Sequence, residues 1–278
     1  VNYHPVEGEV YVIISRVAPD YTAPAAIDGL TYSGSAQALV KAGSTAHGKL
    51  LYSLSKDGAY SETIPTGTDA GEYTVWYKVA GDSNHKDSQP GSVTATIAPK
   101  TVTATVTVSG DSLTYTGDPL KPGVIVKDGD TVISPEEYDV SYSDNTNAGT
   151  ATVTVTDKEG GNYVLGTAGT TFTISKAAAP ALTAYQVTRK YSLKTEQTIT
   201  LPDLKSLGMP DDAQISDTNA FHSGSYSPAG RIQDGWGIDV NTGAITYALA
   251  DGAAAGDVIT FTLLVRSKNY EDATVTVI

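Results

Sequence analysis

The stretch Glu72-Tyr-Thr-Val-Trp-Tyr-Lys-Val79 decides the fold, because every second residue from Tyr73 to Val79 is apolar or aromatic. Side chains alternate between the two faces of a β-strand, so one face of this segment suits a core. The segments 101–108 and 150–156 alternate in the same way. Such alternation is typical of antiparallel sheets with one buried face, and the nearest helix candidate is the short stretch 204–208. The sequence therefore predicts an all-β fold.

Composition narrows the range of functions. The 278 residues carry 31 acids against 18 bases, a net charge of −13, and contain no cysteine. Like charge repels nucleic acids and anionic lipid surfaces, so we expect neither as a partner. The absence of cysteine excludes disulfides, thiol nucleophiles and cysteine-bound metals. No apolar run approaches the length of a membrane span, so we expect no membrane insertion, and we expect a monomer.

Three short motifs recur along the chain. Leu30-Thr-Tyr-Ser-Gly34 returns as Leu113-Thr-Tyr-Thr-Gly117. An Ala-Gly pair precedes an Asn-aromatic pair, and the asparagine comes 13 positions after the glycine each time. The Ala-Gly pairs are Ala70-Gly71, Ala148-Gly149 and Ala255-Gly256, and the Asn-aromatic pairs are Asn84-His85, Asn162-Tyr163 and Asn269-Tyr270. We interpret these as folding residues, with each asparagine capping a turn before a final strand.

Repeats of about 80–100 residues suit β-sandwich modules joined in series. Short proline-marked linkers at 16–19, 97–100 and 174–180 follow each final strand. We therefore predict an elongated array of tandem Ig-like β-sandwiches. Residues 1–16 are predicted to be the last strand of a preceding repeat, through Glu9–Ile14. The predicted modules are module one (17–98), module two (99–176) and a divergent Ig-like or cadherin-like module three (177–278).

Module two resembles the bacterial immunoglobulin-like repeats of large Gram-positive (Firmicutes) surface proteins. The resemblance rests on Leu113–Gly117, Glu137–Val155, Gly161-Asn-Tyr163 and Thr171–Lys176. Module one resembles a sister type through Leu30–Gln37 and Asp69–Val79, and module three keeps only the later motifs. The resemblance implies an extracellular, non-catalytic stalk or adhesin segment of a secreted, cell-surface or cell-wall-attached protein. It names no ligand.

Residues able to support catalysis or metal binding are scattered. The adjacent acids at 136–137, 211–212 and 271–272 stand in turn-like sequence, where acids are usually solvated. The histidines, His4, His47, His85 and His222, have no metal-binding spacing. The oxygen-rich stretches 127–130 and 144–147 are calcium candidates, although a turn is the preferred interpretation of both. We predict no catalytic residues, no metal ligands and no cofactor.

Aromatic side chains offer the best route to ligand binding. Trp76 lies on the face opposite the Tyr73–Val79 stripe, and Trp236 lies between glycines, not far from Tyr226 in the sequence. The candidate ligand-binding residues are therefore Trp76, Tyr226 and Trp236. The competing interpretation places Trp236 in the sandwich core, because large rings are highly buried on average.

The sequence thus predicts a stalk or adhesin segment with an unknown host or cell-surface glycan or protein as partner. Two alternatives remain open. One is a glycan- or protein-binding adhesin with its site in module three. The other is an accessory region of a larger extracellular enzyme.

Overall fold

Strands, bends and turns make up the protein, as the alternating segments predict. The computed structural model describes residues 3, 5, 7–110, 112–216, 225–227 and 230–278, with side chains described outside 225–227. Only two short 3-10 turns interrupt the strands in these ranges, at Pro135–Glu137 and Leu204–Leu207. The chain divides into two compact units, 1–105 with 126–139 and 155–168, and 106–125 with 140–154 and 169–278. The prediction of an all-β fold of Ig-like β-sandwich type is confirmed.

The first part of the chain forms a four-stranded sheet in the order β3-β10-β9-β7, with shorter paired strands around it. The ladders of β9 with β7 and with β10 are antiparallel, whereas β3 pairs with β10 in parallel. The strands are β1 (Tyr21–Thr22), β2 (Ala25–Ala26), β3 (Leu30–Thr31), β4 (Gln37–Ala38), β5 (Val40–Lys41), β6 (Ser44–Thr45), β7 (Lys49–Ser53), β8 (Thr66–Gly67), β9 (Gly71–Ala80), β10 (Gly91–Ala98) and β11 (Lys100–Thr101).

The alternation of β9 sets the core beside this sheet. Val75 and Val79 are fully buried, and Val75 packs with Leu39, Tyr52 and Ile97. Tyr73 and Tyr77 share the inward face but stay half-buried. The predicted inward stripe of this strand is therefore confirmed.

The middle of the chain repeats this arrangement, with strand order β13-β19-β17-β16 in one sheet and β12-β14-β15 in another. Strand β13 pairs with β19 in parallel, as β3 does with β10. The strands are β12 (Ala104–Val108), β13 (Ser112–Thr114), β14 (Val124–Asp128), β15 (Thr131–Val132), β16 (Tyr138–Ser143), β17 (Gly149–Asp157), β18 (Tyr163–Val164) and β19 (Ala168–Ser175). Strands β14 and β15 form a hairpin with Gly129 and Asp130 between them, so the stretch 127–130 contains a turn, as the sequence favours. The turn is not of type I′, because Gly129 has a φ of 58° while Asp130 does not adopt a positive φ.

The last part of the chain is built on β25, which pairs with β21, β22 and β26, and on a second sheet in the order β20-β24-β23. The strands are β20 (Glu196–Thr200), β21 (Gln214–Ile215), β22 (Ser225–Ser227), β23 (Gly237–Asp239), β24 (Ala244–Ala248), β25 (Thr260–Arg266) and β26 (Ala273–Val277). Phe261, Leu263 and Val265 are buried, as their alternation predicts. Strands β23 and β24 form an antiparallel hairpin, in which Asp239 pairs with Ala244.

One predicted strand does not form. Residues Glu9–Ile14 carry no strand pairing in the structure, and the apolar side chains of Val10, Ile13 and Ile14 are 87–93% exposed. Two of the histidines considered above, His4 and His222, lie outside the described residues.

Candidate functional site: two repeated junctions

The recurring motifs come together twice in three dimensions. In the first compact unit, Asn162 Oδ1 accepts a 2.7 Å hydrogen bond from the backbone N–H of Ala70. In the second unit, Asn269 Oδ1 accepts a 2.9 Å bond from the N–H of Ala148. Each asparagine therefore binds the Ala-Gly step of the preceding repeat. We call these contacts the Ala70–Asn162 junction and the Ala148–Asn269 junction.

The amide group of each asparagine is also held. Asn162 Nδ2 donates to Glu137 Oε1 at 2.9 Å and to Asp69 Oδ1 at 3.3 Å. Asn269 Nδ2 donates to Asn147 Oδ1 at 3.0 Å. Asp69 and Asn147 each directly precede the alanine of their junction, so the two contacts use the same sequence positions. Because a hydrogen-bonded amide has its donors and acceptor satisfied, burial at these points costs little.

A pair of tyrosines completes each junction. The rings of Tyr32 and Tyr163 meet edge to face, with centroids 5.3 Å apart and planes at 74°. Those of Tyr115 and Tyr270 do the same, at 5.4 Å and 75°. Desolvation in this setting raises the pKa of Tyr32 above its usual value. Edge-to-face packing adds stability beyond buried area, so the tyrosine of each Leu-Thr-Tyr motif has a defined partner.

The linkers are tied down as well. The backbone N–H of Lys100 donates to the Asn162 carbonyl, and that of Ala177 donates to the Asn269 carbonyl, both at 2.9 Å. Val17 makes the same bond to the Asn84 carbonyl at 3.1 Å. Each linker is thus hydrogen-bonded to the Asn-aromatic turn that follows it in the sequence, and this bond restricts the movement of the linker.

These contacts correct the role expected for the recurrent asparagines. We predicted that each caps a local turn, but the turn of Asn269 is closed by Ser267 Oγ, which accepts from the N–H groups of Asn269 and Tyr270. At Asn84 the corresponding acceptor is Asp82 Oδ1. The asparagine side chains of 162 and 269 reach the preceding repeat instead. The interval of 13 residues signalled the repeat, and no local pattern signalled the partner.

The three candidate ligand-binding residues do not belong to the motifs that form the junctions. Trp76 is half-buried, and Lys56 Nζ lies 5.6 Å from the centroid of its ring. Trp236 is half-buried against the core of the second unit, with its ring 5.3 Å from that of Phe261. Tyr226 pairs with Phe261 through the backbone of β22, and its side chain lies outside the described residues. The structure therefore brings Trp236 and the backbone of Tyr226 to the same residue of β25 in the second unit, whereas Trp76 belongs to the first unit.

A groove of about 680 Å³ opens beside Phe261 in the second unit. Tyr191, Tyr247 and Phe261 line it, and so does the third Ala-Gly step, Ala255-Gly256. Tyr191 is 49% exposed, whereas burial raises the pKa of Tyr247. The groove thus offers one accessible ring within a mixed polar and apolar lining, which includes Arg189 and Asp257.

Comparison with known proteins found similarity among solved structures alone. No protein-family model matches the chain, and no curated protein matches it. Among solved structures, it is similar to extracellular cadherin domains 3–6 of protocadherin gamma B2, at 12% identity over 93% of this chain and 72% of that one, with a TM-score of 0.26. A Bacteroides ovatus protein, the mixed-linkage glucan utilization locus SGBP-B in complex with a mixed-linkage heptasaccharide, is similar at 15% identity over 94% and 70%, with a TM-score of 0.22.

Domains 1–6 of the surface layer protein SbsC match at 17% identity over 92% of this chain and 40% of that one, with a TM-score of 0.21. These solved structures are of extracellular or surface proteins. In the described residues, no helix is long and apolar enough to cross a membrane.

Proposed function

We propose that this chain is a structural spacer, a non-catalytic stalk or adhesin segment of a secreted or cell-wall-attached bacterial surface protein. Its working units are the three Ig-like modules 17–98, 99–176 and 177–278. The observation that carries the proposal is the junction that recurs with the same three motifs at two successive boundaries. A contact repeated in this way serves the array itself.

The junction gives a spacer what it needs, which is a fixed relation between neighbouring modules. One asparagine side chain binds the preceding repeat, two tyrosine rings pack edge to face, and the linker is hydrogen-bonded to the Asn-aromatic turn that follows it. Neighbouring modules joined by free linkers reorient readily, because their interfaces are small and polar. In this proposal the junction suppresses that reorientation.

Surface charge supports the same role. The net charge of −13 on a cysteine-free chain keeps copies apart and favours solubility outside the cell. Residues 7–16, with their exposed apolar side chains, are outside the motifs that form the junctions. The spacer proposal therefore rests on 17–278.

Small-angle X-ray scattering tests the proposal. A compact globule of this length has a radius of gyration of about 19 Å, and a spacer should exceed this clearly. Asn162→Ala combined with Asn269→Ala should broaden the distribution of maximum dimensions, because both junctions lose their central bond. Asn84→Ala is the matched control, since it removes the recurrent asparagine of module one, which takes part in neither junction. A radius of gyration near the globular value would overturn the proposal.

A second candidate function is binding of a glycan or protein in the groove beside Tyr191. The observation that favours it is the exposed ring of Tyr191 in a groove lined by both polar and apolar residues, because sugars and peptides stack on aromatic rings and hydrogen-bond to polar groups beside them. Glycan-array binding of the intact chain should be lost in Tyr191→Ala and retained in Trp76→Ala. Retention of binding in both variants would place the ligand elsewhere.

A further inference from the structure

Two histidines that are far apart in the sequence meet beside the sheet of the first unit. His47 lies just before β7, and His85 lies just after β9, to which β7 is paired. Lys49 faces Ala80 in that ladder, so the start of one strand and the end of the other share an edge. Asp82 lies in the loop that leaves β9. The topology therefore brings His47, Asp82 and His85 to one place.

The three side chains are close enough to share a cation. The two imidazole rings stack, with centroids 3.9 Å apart and planes at 23°. His85 Nδ1 lies 2.7 Å from Asp82 Oδ1. One potential ligand atom from each residue lies within 4.8 Å of the other two, and all three residues are half-buried. The pKa of Asp82 is lowered, chiefly by the hydrogen bond with the His85 side chain and then by the backbone N–H of Asn84.

Folding alone does not require these residue types. Asp82 Oδ1 accepts from the N–H groups of Asn84 and His85, at 2.8 and 2.9 Å. In the third repeat Ser267 Oγ does the same work without a charge. The place of His85 is taken by tyrosine in the other repeats, at Tyr163 and Tyr270. An acceptor and an aromatic ring are all that the turn needs, and here they are a carboxylate and an imidazole facing a second imidazole.

We propose that His47, Asp82 and His85 form a binding site for a divalent transition metal, with zinc as its natural occupant. Two imidazole nitrogens and one carboxylate oxygen are a donor set that suits zinc, whereas calcium and magnesium prefer oxygen ligands alone. Three protein ligands leave a fourth position for water or for a group from a partner.

The geometry needs only a small adjustment. Tetrahedral zinc with bonds of about 2.0–2.1 Å places its ligand atoms about 3.3 Å apart. The present separations of up to 4.8 Å close to that value by rotation of half-buried side chains. The hydrogen bonds from Asn84 and His85 all reach Oδ1, which leaves Oδ2 as the oxygen for the metal.

Metal binding would have a local structural consequence. It would join the loop that enters β7 to the loop that leaves β9, at the Asn-aromatic turn of module one. In the other two repeats that turn carries the tyrosine of a junction. The proposal stands independently of the spacer function, because it rests on side chains that neither junction uses.

Isothermal titration calorimetry tests the site. The intact 278-residue chain, free of any histidine tag and stripped with EDTA, is titrated with ZnCl₂ and separately with CaCl₂ at neutral pH. We expect one zinc per chain and no heat from calcium. Cobalt in place of zinc should give the visible absorption bands of a tetrahedral site.

Variants assign the ligands. His85→Tyr installs the tyrosine of the other repeats, so the unfolding midpoint of the EDTA-treated protein should stay unchanged. Because this variant lacks one imidazole, its zinc affinity should fall at least tenfold. His47→Ala should lower the affinity to a similar extent, and Asp82→Asn should weaken it while keeping the turn acceptor. His222→Ala is the control and should bind as the parent does. The proposal is overturned if the parent binds no zinc, if His47→Ala and His85→Tyr bind it as tightly as the parent, or if His222→Ala alone loses it.

Discussion

The backbone N–H of Ala148 donates a 2.9 Å hydrogen bond to the side-chain oxygen of Asn269, a residue 121 positions further along the chain. The corresponding bond from Ala70 to Asn162 spans 92 positions and measures 2.7 Å. Both bonds connect the same two motifs. Because the same bond forms at both places, the contact is a feature of the repeat and is not peculiar to one pair of residues.

Replacing Asn269 by alanine tests the energetic weight of this contact. Asn269 is only 8% exposed, and its loss leaves the Ala148 N–H and the Asn147 amide without their partner. An unsatisfied buried polar group costs about 1–3 kcal/mol, so the free energy of unfolding measured in urea should fall by that amount. Asn84→Ala should change it by less than about 0.5 kcal/mol, since Asn84 is exposed. Equal effects of the two variants would refute the junction role.

The tyrosine pairs permit a double-mutant cycle. Tyr115→Ala, Tyr270→Ala and the double variant should give a coupling energy of about 0.5–1.5 kcal/mol, the usual range for an edge-to-face pair. The mixed pair Tyr32→Ala with Tyr270→Ala provides the control, because those rings belong to different junctions. Their effects on urea unfolding should add, and coupling in the mixed pair would show that the cycle reports something other than ring contact.

Two leucines of module one should differ sharply in their tolerance of truncation. Leu39 is fully buried, whereas Leu54 is 51% exposed. Leu39→Ala removes contacts with the core around Val75 and Ile97 and should cost about 2–5 kcal/mol. Leu54→Ala should stay within about 0.5 kcal/mol of the parent. Thermal and urea unfolding measure both, and a small effect at Leu39 would mean that this core is misassigned.

Gly91 should not tolerate a side chain. A Cβ atom there would lie 2.6 Å from the ring of Tyr77, which lies across the glycine. Gly91→Ala should therefore destabilise the protein by about 1–3 kcal/mol, the range for overpacking. At Gly8 a Cβ would meet nothing within 4 Å, so Gly8→Ala serves as the control. A stable Gly91→Ala variant would show that Tyr77 moves away at little cost.

Acid sensitivity should depend on Asp239. Hydrogen bonds from the Thr242 side chain and the Asn241 backbone hold the pKa of Asp239 below its usual value. A carboxylate with a lowered folded-state pKa stabilises the protein above the unfolded pKa of about 3.9, and loses this effect as the pH falls through the folded pKa. Asp239→Asn should therefore be less stable at pH 7 and show a shallower loss of stability below about pH 4 in urea titrations. Identical pH profiles would contradict this account.

Much of the fold could be predicted from alternation alone. The period of two in β9 placed Val75 and Val79 inside, and both are fully buried. Tyr73 and Tyr77 are only half-buried because their rings spread over Gly67 and Gly91, which bring no side chain of their own. That pairing of large and small residues across strands depends on register, which the alternation of one strand does not specify.

The sites were harder to predict, for a physical reason. His47 and His85 lie at the ends of two paired strands, so no fixed spacing marks them, unlike ligands on one helix or loop. The partners of Asn162 and Asn269 are backbone N–H groups, which every residue except proline possesses. The sequence around Trp236 suits both a binding loop and the core, and the structure places its ring half-buried against Phe261. Local sequence marks which residues recur, whereas their partners depend on the folded topology.

The parallel pairing of an early strand with a late one has a mechanical consequence. Leu30 pairs with Ile97 and Leu113 with Ile174, so each of these two repeats joins a strand near its beginning to the strand at its end. Tension that pulls the two ends of such a repeat apart draws these parallel strands past each other in shear. Their hydrogen bonds then carry the load together instead of opening one after another. A chain built this way resists tension at the parallel strand pairs through which force passes from one repeat to the next.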